Sequence, residues 1–205
     1  MRKGMAWEKR VDSSSELWRN FCNGDKEAFA DLYQIYARPL FSYGYRISDN
    51  ENQVKDAIQD LFVELWKSRE NLDQAVNVKS YLFKSLRYKL IRQGKFSTVY
   101  TSEELMDQFM NNEQSVESVI SEKEAHRERT AQVRLALETL SARQQEAISL
   151  KFYHGFTNEE IASIMAVNYQ SATNILHRAL LSLRKHFTCA ATTSFLGFFC
   201  FLDFF

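Results

Sequence analysis

The sequence has few residues that break helices or shape turns. It contains 6 Gly and 1 Pro among 205 residues, and such residues punctuate proteins built from many short strands. Apolar residues account for 45% and charged residues for 25%, an ordinary balance for a chain that buries a packed core. The composition therefore disfavours a β-rich fold and predicts an all-α protein.

Cysteine is also scarce, and long apolar runs are missing. Cys22, Cys189 and Cys200 are odd in number and lack CxxC spacing, which favours reduced thiols over a disulfide framework. No apolar segment follows Met-Arg-Lys at the N-terminus, so no secretory signal is predicted. The Phe-rich run 195–205 is shorter than the roughly 20 residues that a membrane-spanning helix needs. A cytoplasmic protein is expected.

Catalytic motifs are missing. The chain contains no P-loop, HExxH or GxSxG motif. Its 4 histidines have no metal-ligand spacing with a carboxylate. We therefore predict no catalytic residue, no metal site, no cofactor and no small-molecule substrate, and we expect that the protein is not an enzyme.

Charge is balanced in sum but divided into blocks along the chain. The formal net charge is +0, yet residues 79–95 carry six bases and no acid, and residues 97–122 carry six acids and no base. No acid follows Glu160 until Asp203. Such blocks create local electrostatic potentials, which matter more for binding than the total charge does.

Apolar periodicity divides the chain into two helical blocks, 13–95 and 129–187. The acidic segment 96–128 is predicted to link them, and 188–205 is an apolar Phe-rich tail. The predicted fold is two small helical domains joined by an acidic linker. In the first block, apolar residues recur at three- and four-residue steps at Leu17, Phe21, Ala28, Phe29, Leu32, Ile35 and Tyr36. In the second block, one helix face is made by Val133, Leu135, Leu137 and Leu140.

Several helix boundaries are marked by residues that can cap backbone groups. Ser141 with Gln144, and Thr157 with Glu160, have the spacing of capping boxes. The other expected signals are N-caps at Asp25 and Asn168, a helix end at Gly155, and a kink or a new helix at Pro39.

The second block contains a helix–break–helix pattern around residues 166–168, which is typical of a helix-turn-helix that reads DNA. Asn, Gln and Arg can pair with base edges, and Ser or Thr can reach bases or phosphates. The pattern alone is equally consistent with two packed helices and a solvated polar face. The residues predicted on the outer face of the second helix are Gln170, Ser171, Thr173, Asn174, His177 and Arg178.

Two segments of the first block carry further binding signals. The basic run 79–95 interleaves Lys and Arg with aromatic residues, a mixture that suits opened or single-stranded DNA. The helix pattern 55–67 combines carboxylates with Phe62 and Trp66, which is typical of a protein-binding surface. Both segments are equally explained as amphipathic helices whose aromatic residues are buried in the core.

The order of these parts resembles an extracytoplasmic-function (ECF) sigma factor of bacterial RNA polymerase. The resemblance runs from Gly24 to His186 and covers DAIQDLFVELW, the basic SYLFKSLRYKLIR, the acidic linker and the final block. The final block is similar to the family's sequence motifs at three places. They are Leu140-Ser141-Ala142-Arg143-Gln144, Gly155-Phe156-Thr157 with Glu159-Glu160, and His177-Arg178-Ala179.

The resemblance implies a role for each part, with core RNA polymerase and promoter DNA as partners. The outer face of the second helix, which carries Gln170, Asn174 and Arg178 among others, would read the −35 element. An anti-sigma factor, often membrane-anchored, would hold the protein inactive at the inner membrane. The implied polymerase-binding residues are Asp56, Gln59, Asp60, Phe62 and Trp66. The implied residues for recognising and opening the −10 element are Asn71, Asn77, Lys79, Tyr81, Lys84, Arg87 and Tyr88.

Two other interpretations stay open at this point. One is a helix-turn-helix transcriptional regulator that does not bind core polymerase; no alternation of strands and helices precedes the final block to support a receiver domain. The other is a helical adaptor without a DNA role, which the acid-free stretch 161–202 and the basic run 79–95 disfavour.

Overall fold

The computed structural model describes residues 15–73, 77–92, 133 and 135–190. Every regular element in these ranges is helical, which confirms the all-α prediction. The predicted linker 96–128 and most of the tail 188–205 lie outside them. The helices are α1 (15–22), α2 (Lys26–Ile47), α3 (Glu51–Ser68), a 3₁₀ turn (Arg69–Asn71), α4 (Val78–Arg92), α5 (135–138), α6 (Ala142–Ile148) continued by a π-helical turn (Ser149–Tyr153), α7 (Asn158–Met165) and α8 (Tyr169–Ala190).

Capping side chains begin the helices where the sequence predicted them. Glu160 Oε2 accepts a hydrogen bond from Thr157 N at 2.7 Å, and Glu160 N donates to the Thr157 hydroxyl at 3.3 Å. The Ser141 capping box is present as well. Asp25 and Asn168 accept backbone N–H groups at 2.8 Å and 2.7 Å. These bonds satisfy donors that the first turn of a helix leaves unpaired.

Two residues of the periodic apolar patterns are exposed, and no new helix starts at Pro39. Ile35 is 53% exposed and Leu135 is 60% exposed, so neither belongs to the core. Ala136, the residue after Leu135, is buried. Pro39 lies inside α2 without ending it or starting a new helix. Proline has no backbone N–H, so the carbonyl of Ile35, one turn earlier, loses its helical hydrogen bond. Because Ile35 is exposed, water can donate to this carbonyl instead.

Helices α1 to α4 enclose the N-terminal part of the core. α2, α3 and α4 pack against one another in pairs, and α1 contributes the fully buried Trp18 and Phe21. Trp18 Nε1 donates to the backbone oxygen of Asp73 at 3.0 Å, which ties the loop after the 3₁₀ turn to α1. A buried aromatic ring with a satisfied N–H anchors this loop more firmly than apolar contact alone.

Helices α6, α7 and α8 form a C-terminal unit that packs directly on the N-terminal one. α8 packs on α6 and α7, while α7 also packs on α4. The buried apolar residues of both units form one continuous cluster. Two periodic blocks in the sequence thus share a core, a feature that the periodicity does not reveal. No helix among the described residues is long and apolar enough to cross a membrane.

Gly44 lies in α2 where α3 and α4 approach it closely. An added Cβ would lie 2.7 Å from Val54 Cγ1, and 3.4 Å from Leu86 Cδ2 and Leu90 Cδ1. Alanine in a helix interior is usually favoured over glycine by about 1 kcal/mol, but overpacking reverses that sign. We expect Gly44→Ala to lower the free energy of unfolding by about 1–3 kcal/mol in a urea titration. A stabilised variant would show that α2 and α3 can move apart to accept the added methyl group without loss of unfolding free energy.

Candidate nucleic-acid interface

The predicted helix–break–helix is formed by α7 and α8. Ala166 ends α7 with a φ of 54°, a left-handed conformation, and Asn168 caps α8 two residues later. The two helices are held together by small and branched buried residues, including Ile161 on α7 and Ala172 on α8. This packing fixes the N-terminal half of α8 at the surface of the unit.

The predicted DNA-reading residues on α8 differ in exposure. Gln170, Asn174, His177 and Arg178 are exposed and recur at three- and four-residue steps, so they share one helix face. Gln170 Nε2 donates to Asn174 Oδ1 at 3.3 Å, which aligns two amides along that face. Ser171 and Thr173 are half-buried, and the buried Thr173 hydroxyl has no hydrogen-bond partner among the described residues. Four of the six residues are therefore presented to solvent.

One side of the basic helix α4 packs on the C-terminal unit, while Lys84, Tyr88 and Arg92 of the same helix are exposed. Asn77 Nδ2 donates to Glu160 Oε1 at 2.7 Å, and Lys84 Nζ donates to the Ser163 hydroxyl at 3.2 Å. Lys79 donates to the carbonyl of His154 and lies over the ring of Phe156, 4.8 Å from its centroid. Burial lowers the pKa of Lys79, and the charge of Glu160 opposes this shift.

Glu146 on α6 is the buried carboxylate at the centre of this contact, with 4% exposure. It accepts hydrogen bonds from Tyr43 Oη at 2.8 Å, from Arg87 Nε at 2.7 Å and from Arg87 Nη2 at 3.4 Å. Burial on its own would lower the pKa of Arg87, but the hydrogen bond and charge of Glu146 outweigh it and raise that pKa. Removing one partner would leave the other charge buried and unpaired.

His154 follows the π-helical turn and lies between the two units. Its ring packs edge-on against Phe83, with centroids 4.7 Å apart, and against Tyr43 at 6.0 Å. Its Nε2 atom has no hydrogen-bond partner among the described residues. Burial, then the positive charges of Arg46 and Lys79, lowers the pKa of His154 from 6.5 to about 2. The imidazole is therefore neutral at physiological pH.

Three of the residues assigned to opened DNA border a groove between α3 and α4. The groove has a volume of ≈ 690 Å³ and is lined by Tyr81, Lys84 and Tyr88 of α4, among others. Tyr88 is 65% exposed, whereas Tyr81 is half-buried beside Trp18. Asn71 is exposed at the end of the 3₁₀ turn, away from the groove lining. A groove with aromatic and basic walls has the chemistry to hold an unstacked base.

The five predicted polymerase-binding residues divide into two groups on α3. Asp56, Gln59 and Asp60 are exposed. Phe62 is 2% exposed and packs on Tyr33 and Phe29. Trp66 is half-buried against Phe29 and Phe21, with the guanidinium of Arg69 4.7 Å above its ring. The two aromatic residues therefore support the helix from within, and the polar residues face solvent.

Glu146 and His154 are not among the predicted site residues. A signal for Glu146 exists, because an acid in the buried run 145–150 of the second block needs a partner. That partner, Arg87, lies 59 residues earlier in the chain, so local sequence could not identify it. Among the described residues, no group of His, Cys, Asp and Glu is arranged to hold a metal ion.

Comparisons with known proteins match both units. The family model of sigma-70 region 2 matches residues 25–94, and that of sigma-70 region 4 matches residues 130–183. The ECF RNA polymerase sigma factor SigL of Mycobacterium tuberculosis is 28% identical over 157 residues, which are 75% of this chain and 85% of SigL.

Two solved structures have a similar fold. CnrH, solved in complex with the cytosolic domain of CnrY, superposes with a TM-score of 0.56 at 20% identity, over 84% of this chain and 95% of that chain. The sigma factor RpoE of Bartonella quintana, solved with the anti-sigma factor NepR, superposes with a TM-score of 0.51 at 20% identity, over 77% and 95%.

The two sigma-70 regions occur in the family order and together cover more than half of the chain. A helix-turn-helix regulator without polymerase binding would not carry region 2 before its DNA-reading unit, so that interpretation is set aside. The chain belongs to the ECF sigma factors, which direct RNA polymerase to specific promoters.

Proposed function

We propose that this sigma factor reads the −35 element with α8, receives the opened −10 element on α4, and docks on core polymerase through α3. The observation that carries the proposal is the exposed face of α8, where Gln170, Asn174, His177 and Arg178 stand together on a capped helix. Amide and guanidinium groups pair with base edges in the major groove. The half-buried Ser171 and Thr173 would contribute through phosphate contacts or helix packing.

For the −10 element, the proposed site combines the groove between α3 and α4 with basic side chains of α4. Tyr81 and Tyr88 would stack on unpaired bases. Lys79, Lys84 and Arg87 would neutralise phosphates, and Asn71 and Asn77 would contact the strand at the N-terminal side of α4. Stacking offsets the few kcal/mol that unstacking a base costs. No catalytic step is assigned to this chain, because the polymerase supplies the chemistry of RNA synthesis.

The docking role is tested best on the exposed carboxylates of α3. Asp56→Arg with Asp60→Arg should weaken binding to core polymerase at least about tenfold, since reversed rim charges act on association without disturbing the core. The matched control is Asp31→Arg on α2, also exposed. Fluorescence anisotropy with purified core polymerase measures both. Substituting Phe62 would confuse docking with folding because its ring is buried. Normal binding by the double variant would reject docking through this face.

Arg178 provides the test of −35 reading. Arg178→Ala should weaken binding to a −35 duplex by about 1–3 kcal/mol and relax the preference for one base pair. Arg143→Ala removes the same charge from an exposed position on α6 and serves as the control. Competition with duplexes that vary the −35 sequence separates the two effects. If both variants lose the same duplex affinity and keep the same sequence preference, Arg178 contacts no base.

An anti-sigma protein is the proposed negative regulator. The RpoE neighbour was solved with such a partner, and we extend this partnership to the present chain, which would be held at the inner membrane when that partner is anchored there. Adding the purified candidate anti-sigma protein should abolish binding of this chain to core polymerase. Simultaneous binding of both proteins would contradict the proposed inhibition.

A further inference from the structure

Trp18 on α1 contacts both Asp73, which follows the 3₁₀ turn, and Tyr81 in the first turn of α4. Its Nε1 atom donates to the backbone oxygen of Asp73, 55 residues later in the chain, at 3.0 Å. Its ring packs against that of Tyr81, with centroids 5.9 Å apart. Because the side chain of Trp18 is 1% exposed, it cannot contact DNA itself. One rigid ring therefore joins the end of the 3₁₀ turn to the start of α4.

The indole is itself held in place by the core. Phe21, one turn later on α1, lies 5.3 Å from Trp18 between ring centroids, and it packs in turn on Phe29 of α2 and Trp66 of α3. A ring in such a close-packed interior cannot shift without moving its neighbours. Helix α1 also precedes the residues that match sigma-70 region 2, which begin at residue 25. The contacts of Trp18 therefore do not follow from that match.

The residues that Trp18 holds lie beside those proposed to receive the −10 strand. Tyr81 lines the groove between α3 and α4. Asn77 begins α4, and its Oδ1 atom accepts a hydrogen bond from Ser80 N at 3.0 Å. Groups that contact a ligand discriminate well only when packing and hydrogen bonds behind them fix their positions. A shift of these groups would change which base fits, while the charges that attract phosphates would stay the same.

We propose that Trp18 is a positioning residue for −10 recognition, which holds Asp73 and Tyr81 in the relative placement that Asn77 and Tyr81 need to discriminate between bases. The inference rests on the −10 role of α4 proposed above. Phosphate contacts supply affinity that does not depend on sequence. Trp18 therefore sets the base preference of the opened strand and leaves its sequence-independent affinity unchanged.

The test compares Trp18→Phe with Phe21→Leu in holoenzyme assembled from the full-length chain and core polymerase. Trp18→Phe keeps an aromatic ring but removes the donor to Asp73, whereas Phe21→Leu removes a buried ring from the same helix and keeps that donor. Each holoenzyme selects from a pool of randomised single strands about 12 nucleotides long, and the bound strands are sequenced. Core polymerase alone gives the background.

Trp18→Phe should lower the discrimination between the two best bases at the most selective position about 3- to 10-fold, which is the range that one hydrogen bond supplies. Phe21→Leu should keep the discrimination of the wild type. Fluorescence anisotropy with a labelled strand from the unselected pool should give affinities within about twofold for all three holoenzymes. A residue that only fills the core would not change base preference while this affinity stays constant.

A second variant guards against loss of folding. Benzothienylalanine at position 18 keeps the shape of the indole and replaces only its N–H with sulfur, so it should reproduce the loss of discrimination in a chain with an unchanged circular dichroism spectrum. Equal discrimination by this variant and the wild type, or an equal loss in Phe21→Leu, would make Trp18 an ordinary core residue and leave the −10 role of α4 standing. A wild-type holoenzyme that enriches no base above the background would instead overturn that role and the inference with it.

Discussion

Replacing Phe83 by alanine is expected to lower the free energy of unfolding by about 3–5 kcal/mol. The ring is fully buried on α4 and touches both units. Its centroid lies 5.0 Å from those of Tyr43 and Phe156, and 4.7 Å from that of His154. Removing it deletes a large apolar surface and leaves a cavity that the aromatic neighbours on α2 and on the segment 154–156 cannot easily fill.

Urea denaturation measures this effect, with Tyr88→Ala as the matched control. Tyr88 lies on the same helix and is also aromatic, but it is 65% exposed, so its removal should change stability by no more than about 0.5 kcal/mol. Similar midpoints for the two variants would contradict the burial of Phe83 at the interface. A lower m-value for Phe83→Ala would indicate that the two units no longer unfold together.

Acidification is expected to destabilise the folded chain through His154. The pKa of His154 falls from 6.5 to about 2 on folding, because burial and then Arg46 and Lys79 disfavour the charged ring. Below pH 6.5 the unfolded chain therefore binds a proton that the folded chain rejects. The stabilisation is complete above pH 6.5 and is lost as the pH falls towards 2. Between pH 7.5 and pH 5, this residue should cost about 2 kcal/mol.

The variant His154→Gln isolates this contribution. Glutamine cannot take up a proton, and the Nε2 atom of His154 makes no hydrogen bond with the described residues that would be lost. Carboxylates such as Glu146 and Glu160 remain in both proteins, so the difference between the two pH profiles of unfolding free energy reports His154. That difference should approach about 1.4 kcal/mol per pH unit below pH 6. Parallel profiles would show that folding does not lower the pKa of His154.

Much of the fold follows from local signals in the chain. Thr157 and Glu160 begin α7, and Asn168 begins α8, because their side chains satisfy backbone donors within three residues. The exposed face of α8 was likewise predictable, since residues at three- and four-residue spacing must share one side of a helix. These features depend on neighbours in sequence, so periodicity and capping chemistry suffice to locate them.

Burial was harder to predict from the same patterns. Ile35 and Leu135 fit an apolar helix face and yet are exposed. Phe62 belongs to the set predicted to bind polymerase, and its ring is buried against Tyr33 and Phe29 of α2. A hydrophobic period indicates which residues share a face, but the packing of other helices sets how much of that face is covered.

The amino-acid pattern determined the helices, their caps, the order of the two sigma regions and the polar face of α8. Tertiary packing decided that α4 meets the C-terminal unit. It also decided that Arg87 pairs with Glu146 and that His154 stays neutral between two cations. The reason is that charge pairing and desolvation depend on distance in space, and the partners here lie 59 to 108 residues apart along the chain, the latter being the span from Arg46 to His154.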